Sequence, residues 1–167
     1  MDIRHRGVLL CLLLYLLLGC TDGGDLVIEY VLPDGYAGYF WIAEDAEHGQ
    51  EVRPVDGRVV LHIPDDGILL LKNDQFLSEW HSQESRYANG EPLPRGRLRT
   101  TSNEEHALYS LGTSHDGIDK YLVGPKRVYD EYYKNRGEAM VQLHQMFEER
   151  LRDKLNRMGE GAEGGRN

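Results

Sequence analysis

The hydrophobic pattern of the chain changes its period once, and this change limits the folds open to it. From Leu26 to Leu32 apolar residues fall on alternate positions, and similar short segments recur up to Val123. A period of two is typical of β-strands. Beyond Pro125 the apolar residues recur mostly every three or four positions, as in an amphipathic helix. The sequence therefore predicts a mainly β domain with a C-terminal helix, which is α+β overall.

The predicted strands are separated by turn residues such as Pro33-Asp34-Gly35 and Asn89-Gly90. The run from Ile68 to Leu71 has no polar side, which predicts a strand buried on both faces. Short strands at regular spacing are typical of a β-sandwich, and a prealbumin-like topology is one such arrangement. The predicted strand segments are 25–32, 38–43, 58–63, 68–71, 85–88 with a partner near Leu93, 107–111 and 118–123.

The helical pattern runs from Tyr129 to Met158, with Gly137 as a point at which it could divide into two helices. Gly159 is predicted to end it, because a glycine after the last periodic residue is a common helix stop. We therefore expect a β-sandwich domain over residues 25–124, a helical segment over 125–158, and a disordered Gly-rich tail over 159–167.

The N-terminal twenty residues have a separate organisation. A basic head with Arg4 and Arg6 precedes eleven unbroken apolar residues, Val8 to Leu18. As a helix this run would be only about 16 Å long, roughly half the hydrocarbon core of a bilayer. This layout is typical of a secretory signal peptide, here residues 1–19. Its end, Leu17-Leu18-Gly19-Cys20, resembles the lipobox of bacterial lipoproteins.

This resemblance implies cleavage between Gly19 and Cys20 and attachment of diacylglycerol to the Cys20 sulfur, usually with palmitate or another acyl chain on the new amine. Residues 20–24 would then be the lipidated cysteine and a short tether. In some bacteria an aspartate directly after the cysteine retains a lipoprotein in the inner membrane. Thr21 occupies that position, which favours the outer membrane or cell surface. The alternatives are an ordinary cysteine after a conventional signal peptide, or a buried helix over residues 8–18.

The segment from Val31 to Phe40 resembles a motif in a family of uncharacterised bacterial envelope lipoproteins. Its pattern is aliphatic, Pro33, any residue, Gly35, aromatic, any residue, Gly38, then a strand. In that family a segment like Ile63-Pro64 with Gly67 follows, and a strand like 121–124 comes later, so the resemblance covers residues 25–135. It implies no established activity and no catalytic residue.

Composition excludes several classes of function. The only two cysteines are Cys11 and Cys20, so the domain after residue 20 has neither a disulfide nor a cysteine-based metal site. The net charge of −9 disfavours binding to nucleic acid. No cofactor is expected, since the sequence lacks a phosphate-binding glycine loop. The acidic surface is also repelled by anionic head groups, so the membrane contact is expected to be the N-terminal lipid itself.

Histidines and carboxylates offer the best places to look for chemistry. His81 and Glu84 are the strongest pair for acid–base work, and a small hydrolase using this pair or another carboxylate is the alternative function. The segments 65–67 and 116–119 resemble calcium loops but lack the ligand spacing of an EF-hand, so turns are expected there. No metal site is predicted from the histidines of the mature chain, which are His48, His62, His81, His106, His115 and His144.

The aromatic residues could line a glycan-binding face or fill the core, and we favour the core. We predict no catalytic residue. The expected function is a non-enzymatic, lipid-anchored envelope domain that binds a protein or a glycan, with an oligomeric state that the sequence leaves open. The aromatic residues in question are Tyr30, Tyr36, Tyr39, Trp41 and Trp80.

Overall fold

A computed structural model describes residues 26–96 and 105–163. Its strands are β1 Leu26–Leu32, β2 Gly38–Glu44, β3 Arg58–His62, β4 Ile68–Leu71, β5 His81–Tyr87, β6 His106–Thr113 and β7 Asp119–Pro125. Two helices follow, α1 Lys126–Lys134 and α2 Arg136–Glu163, and a short 3-10 turn spans Gln75–Leu77. The fold is mainly β with C-terminal helices and α+β overall, as the sequence predicted.

The strands form two sheets. The first has the order β3-β1-β5 and the second has the order β4-β2-β7-β6. Successive strands from β1 to β5 alternate between the two sheets. When the chain comes back to a sheet, the new strand therefore runs in the same direction as the previous strand of that sheet. This explains why β1 pairs in parallel with both β3 and β5, and why β2 pairs in parallel with β4. Strands β6 and β7 form an antiparallel hairpin, and β7 joins the second sheet by antiparallel pairing with β2.

One hydrophobic core lies between the two sheets. The first sheet contributes Ile28, Tyr30 and Leu61 to it, and the second contributes Phe40 and Tyr121, all buried. The two sheets therefore pack face to face as a sandwich. The prediction of a prealbumin-like topology remains untested, and the parallel pairing was not part of any prediction.

A second core lies between the second sheet and the helices. Trp41 and Leu122 of the sheet meet Leu143 and Phe147 of α2 there. The second sheet is thus covered on both sides, which is why strand 68–71 is apolar at every position. All four of its residues are buried, and the prediction of a doubly buried strand is confirmed.

The helices differ from the sequence prediction at two points. The division falls at Asn135, two residues before Gly137, and α2 continues through Gly159 to Glu163 instead of ending at Gly159. A glycine inside a helix costs only about 1 kcal/mol, and no proline follows to stop propagation. Residues 164–167, the rest of the predicted tail, lie outside the described residues. Neither helix in the described part of the chain is long and apolar enough to cross a bilayer.

Asp66, in the turn before β4, fixes the C-terminal half of α2 on the sandwich. Its carboxylate accepts hydrogen bonds from Lys154 at 2.9 Å and Arg157 at 3.0 Å. The Arg150 guanidinium donates to the Asp66 carbonyl oxygen at 3.2 Å and lies over the Trp41 ring, 5.3 Å from its centre. The segment 65–67 is therefore a turn that holds the helix.

Candidate functional site

The predicted lipidation and cleavage residues, Gly19 and Cys20, lie outside the described residues. The described domain begins with β1 at Leu26, six residues after Cys20. Chain entering from the N-terminus therefore reaches the domain at the start of the central strand of the first sheet.

Because the strands of the first sheet are parallel, their N-terminal ends lie along one edge, which we call the entry edge (Leu26, Arg58, His81 and the residues next to them). Leu26 pairs with His81 on one side, and Val27 pairs with Arg58 on the other.

Two apolar side chains at the entry edge face solvent. Trp80 immediately precedes β5 and is 87% exposed, and Val55 closes the turn before β3 and is 69% exposed. They flank the first residues of β1, one on each side. Burying a large apolar side chain is favourable, so two side chains this exposed at one edge form a candidate contact surface.

The predicted acid–base pair of His81 and Glu84 is not assembled. The two residues lie three apart on strand β5, and side chains alternate between the faces of a strand, so they point to opposite sides of the sheet. His81 faces the sandwich interior, with its Nε2 3.1 Å from the Gln83 amide nitrogen. Glu84 faces outward and accepts a hydrogen bond from Arg58 at 2.7 Å. A hydrolase based on this pair is therefore not supported.

The outer face of the first sheet carries a charged network instead. Glu29, in the central strand, accepts hydrogen bonds from Arg86 at 2.6 Å and from Arg58 at 3.3 Å, and Arg58 also bonds Glu84. The Glu29 side chain is only 16% exposed. The hydrogen bond from Arg86 lowers the pKa of Glu29, and the charge of Arg58 acts in the same direction. Ion pairs therefore link β1, β3 and β5 on the face of the sheet that points away from the core.

A line of polar groups crosses the core between the two sheets. The Tyr30 and Tyr121 hydroxyls lie 2.9 Å apart, and the Gln83 amide donates to the Tyr30 hydroxyl at 3.4 Å. Gln83 also contacts His81, whose other ring nitrogen lies 2.7 Å from the Glu79 carbonyl oxygen. Burial raises the pKa of both tyrosines, so both hydroxyls remain protonated donors. The line joins the middle of the core to the entry edge.

Asp119 lies in a small cleft at the same end of the sandwich. The cleft has a volume of about 210 Å³. Burial raises the pKa of Asp119, although a hydrogen bond from the Thr113 hydroxyl opposes this. The carboxylate of Asp74 raises the pKa further, while His81 and Lys120 lower it. The cleft is lined by Asp74, Leu77, Ser78, Thr113, Gly117 and Asp119.

A carboxyl group with a raised pKa in a cleft is the kind of group that exchanges protons at active sites. Sequence reasoning missed it because Asp119 was considered only as part of the calcium-loop-like segment 116–119, although it also lies in the predicted strand 118–123. The available signal was the alternation in β7, which places Asp119 on the same face as the buried Tyr121 and Val123. Within residues 26–96 and 105–163 no three His, Cys, Asp or Glu side chains are grouped to hold a metal ion.

The aromatic residues do not form an exposed row. Tyr30 and Trp41 are completely buried in the two different cores, which confirms the core interpretation for them. Tyr36 and Tyr39 are partly buried and pack against those cores. Only Trp80 of this set is largely exposed, and it stands at the entry edge, apart from the others.

The helical layer exposes a second group of apolar side chains. Val141 is 58% exposed and its neighbour Met140 is 40% exposed, both on α2, and Tyr133 at the end of α1 is 40% exposed. The Arg136 guanidinium lies 5.6 Å from the centre of the Tyr133 ring. We call these three exposed residues, which lie within nine positions of one another around the junction of the two helices, the helical patch.

Comparisons with known proteins give little further information. No protein-family model matches the chain, so the resemblance to uncharacterised envelope lipoproteins is not shown, and no curated protein matches either. Among solved structures, the chain is similar to a candidate lipoprotein from Bacillus anthracis. That likeness has 10% sequence identity and a TM-score of 0.37, and it covers 74% of this chain and 96% of the other.

Proposed function

We propose that this protein is a bacterial envelope lipoprotein, held at the membrane by lipid on Cys20, and that its sandwich domain is a non-enzymatic binding module. The segment 1–20 supports the lipid anchor. It combines a basic head, an apolar run too short to span a bilayer, and the Leu17-Leu18-Gly19-Cys20 ending. Thr21 favours the outer membrane or cell surface as the destination.

The start of the domain fits an anchor of this kind. Two or more acyl chains on one residue anchor a protein stably, whereas one chain binds only reversibly. A six-residue connection to Leu26 then leaves the sandwich folded outside the bilayer, with no strand required to enter it.

The anchor is tested by substituting each cysteine in turn. The wild-type chain should incorporate labelled palmitate and sediment with membranes, and Cys20→Ser should lose the label and leave the membrane fraction. Cys11→Ser is the matched control, because it removes the only other cysteine and should leave labelling unchanged. Membrane retention of both wild type and Cys20→Ser without label would contradict the proposal, as would an unmodified Cys20 in the mass spectrum of the mature N-terminus.

For the binding module, a protein partner is favoured over a glycan. Glycan binding would need a row of exposed aromatic planes, but Tyr30 and Trp41 are buried in the cores and Trp80 stands apart from the rest of that set. The helical patch instead offers Tyr133, Met140 and Val141, and aromatic residues and methionine are enriched at protein interfaces. The separation of His81 from Glu84 removes the strongest residue pair for the hydrolase alternative.

A photoreactive amino acid at position 141 in intact envelopes tests this part. We expect one discrete, protease-sensitive crosslinked product. The control is the same probe at Val60, which is 36% exposed on the outer face of the first sheet and should give no such product. Equal crosslinking at both positions, or a product resistant to protease, would argue against a protein partner on the helical patch.

A further inference from the structure

The entry edge presents its two exposed apolar residues next to the point where the chain from Cys20 joins the domain. Trp80 precedes His81, the pairing partner of Leu26, and Val55 exchanges backbone hydrogen bonds of 2.8 and 2.9 Å with Arg58, the pairing partner of Val27. Neighbouring strands lie about 4.8 Å apart, so both residues stand within a few strand spacings of Leu26.

The distance from this edge to an anchored Cys20 is limited by the chain. Six residues, fully extended, span at most about 20–22 Å, and any other conformation is shorter. A domain held by lipid on Cys20 therefore keeps Leu26, and with it Trp80 and Val55, close to the bilayer surface. Surfaces of the sandwich farther from Leu26 are not constrained in this way.

We propose that Trp80 and Val55 insert into the headgroup region of the bilayer that holds the lipid on Cys20, so that the entry edge lies against the membrane. This inference rests on the proposed anchor and specifies the orientation of the domain. Tryptophan favours the membrane–water interface, because its ring is apolar while its indole N–H still finds polar partners there. An 87% exposed tryptophan that fills no core is suited to this position.

The local charges indicate which lipids the edge meets. Glu79 precedes Trp80 and Asp56 follows Val55, and Arg53 is already paired with Glu51 at 2.9 Å. Carboxylates beside the two apolar residues are repelled by anionic headgroups. The contact is therefore with zwitterionic lipid, and adding anionic lipid should weaken it.

The two tryptophans of the chain provide a direct test. Trp41 is completely buried and Trp80 is 87% exposed. The difference in fluorescence between wild type and Trp80→Phe therefore gives the fluorescence of Trp80 alone. Full-length lipidated protein is placed on vesicles of brominated phosphatidylcholine. We expect the lipid to quench the Trp80 fluorescence and to reduce its quenching by aqueous acrylamide by about twofold or more, as for an interfacial tryptophan.

Charge substitutions supply the matched comparison. Val55→Asp should reduce quenching by the brominated lipid, whereas Met158→Asp, at an exposed position near the end of α2, should not change it. Vesicles with added phosphatidylglycerol should give weaker quenching by the brominated lipid. If the protein stays on the vesicles while Trp80 remains open to acrylamide and unquenched by lipid, the orientation is wrong and the anchor stands. If wild-type protein carries no lipid and leaves the vesicles, both proposals fail.

Discussion

The hydroxyl oxygens of Tyr30 and Tyr121 lie 2.9 Å apart in the core between the two sheets, although 91 residues separate them in the chain. Each side chain belongs to a different sheet, and both are almost completely buried. The rings also pack together, with centroids 5.2 Å apart. This hydrogen bond therefore links the parallel first sheet to the hairpin of β6 and β7.

Tyr30→Phe should destabilise the fold by about 1–3 kcal/mol, because it leaves the buried Tyr121 hydroxyl without this partner. Tyr121→Phe should have a similar effect. The double variant should be less destabilised than the sum of the two, since it removes both polar groups together. Urea unfolding of the four proteins measures this coupling. Strictly additive effects would show that the two hydroxyls do not stabilise each other.

The hydrogen bond between Glu29 and Arg86 predicts a dependence of stability on pH. The pKa of Glu29 is lowered in the folded state, so its contribution is fully present above the ordinary value of 4.5 and is lost as the pH falls through the folded pKa. Glu29→Gln should cost about 1–2 kcal/mol at neutral pH and progressively less below pH 4.5.

Urea unfolding between pH 7 and pH 3 measures this difference. Glu47→Gln is the control, because that side chain is 85% exposed and should give a small difference at every pH. A difference between wild type and Glu29→Gln that stays constant over the whole range would refute a role for the Glu29 charge.

The raised pKa of Asp119 predicts a pH dependence of stability with the opposite sign. Burial raises its pKa, so the folded protein holds this proton more tightly than the unfolded chain, and stability falls as the pH rises from 3.8 to the folded pKa. Asp119→Asn should therefore become more stable than wild type as the pH increases, since the Thr113 hydroxyl can still donate to the amide oxygen. Asp116→Asn, at an exposed position in the adjoining turn, is the control. A variant less stable than wild type at neutral pH would contradict this account.

Much of the fold could be predicted from local patterns. Alternation located β1 and β3, and the unbroken run Ile68–Leu71 correctly indicated a strand covered on both faces. The parallel pairing could not be predicted, because it depends on which sheet each strand joins, and alternation records only which side of a strand is apolar. In β1 the same pattern would suit either an antiparallel or a parallel neighbour.

The candidate site was harder to predict for a related reason. A spacing of three brings side chains together on a helix but separates them on a strand, so His81 and Glu84 form a pair only if β5 were helical. The contact surface at the entry edge depends on Trp80 and Val55, which are 25 residues apart in the sequence. Their proximity to Leu26 follows only from the parallel register of the first sheet.

Two glycines should respond to alanine in opposite directions. At Gly137, inside α2, an added Cβ meets no atom within 4 Å, so Gly137→Ala should stabilise the protein by about 0.5–1 kcal/mol. Gly67 has φ +74°, and its Cβ would lie 2.5 Å from the Tyr36 hydroxyl oxygen. Gly67→Ala should therefore destabilise by about 1–3 kcal/mol. The thermal unfolding temperatures of both variants are compared with that of wild type. Shifts of the same sign in the two variants would contradict the local conformations described.

The contact between Phe147 and Trp41 holds α2 against the second sheet, and its removal should be costly. Phe147 is 3% exposed and its ring centre lies 6.0 Å from that of Trp41, so Phe147→Ala should destabilise by about 3–5 kcal/mol. Met140→Ala, on the same helix at 40% exposure, should change stability by no more than about 0.5 kcal/mol. In a Trp80→Phe background the remaining fluorescence comes from Trp41, and Phe147→Ala should shift it to longer wavelength as water gains access. An unshifted spectrum with unchanged stability would mean that α2 does not cover the second sheet in solution.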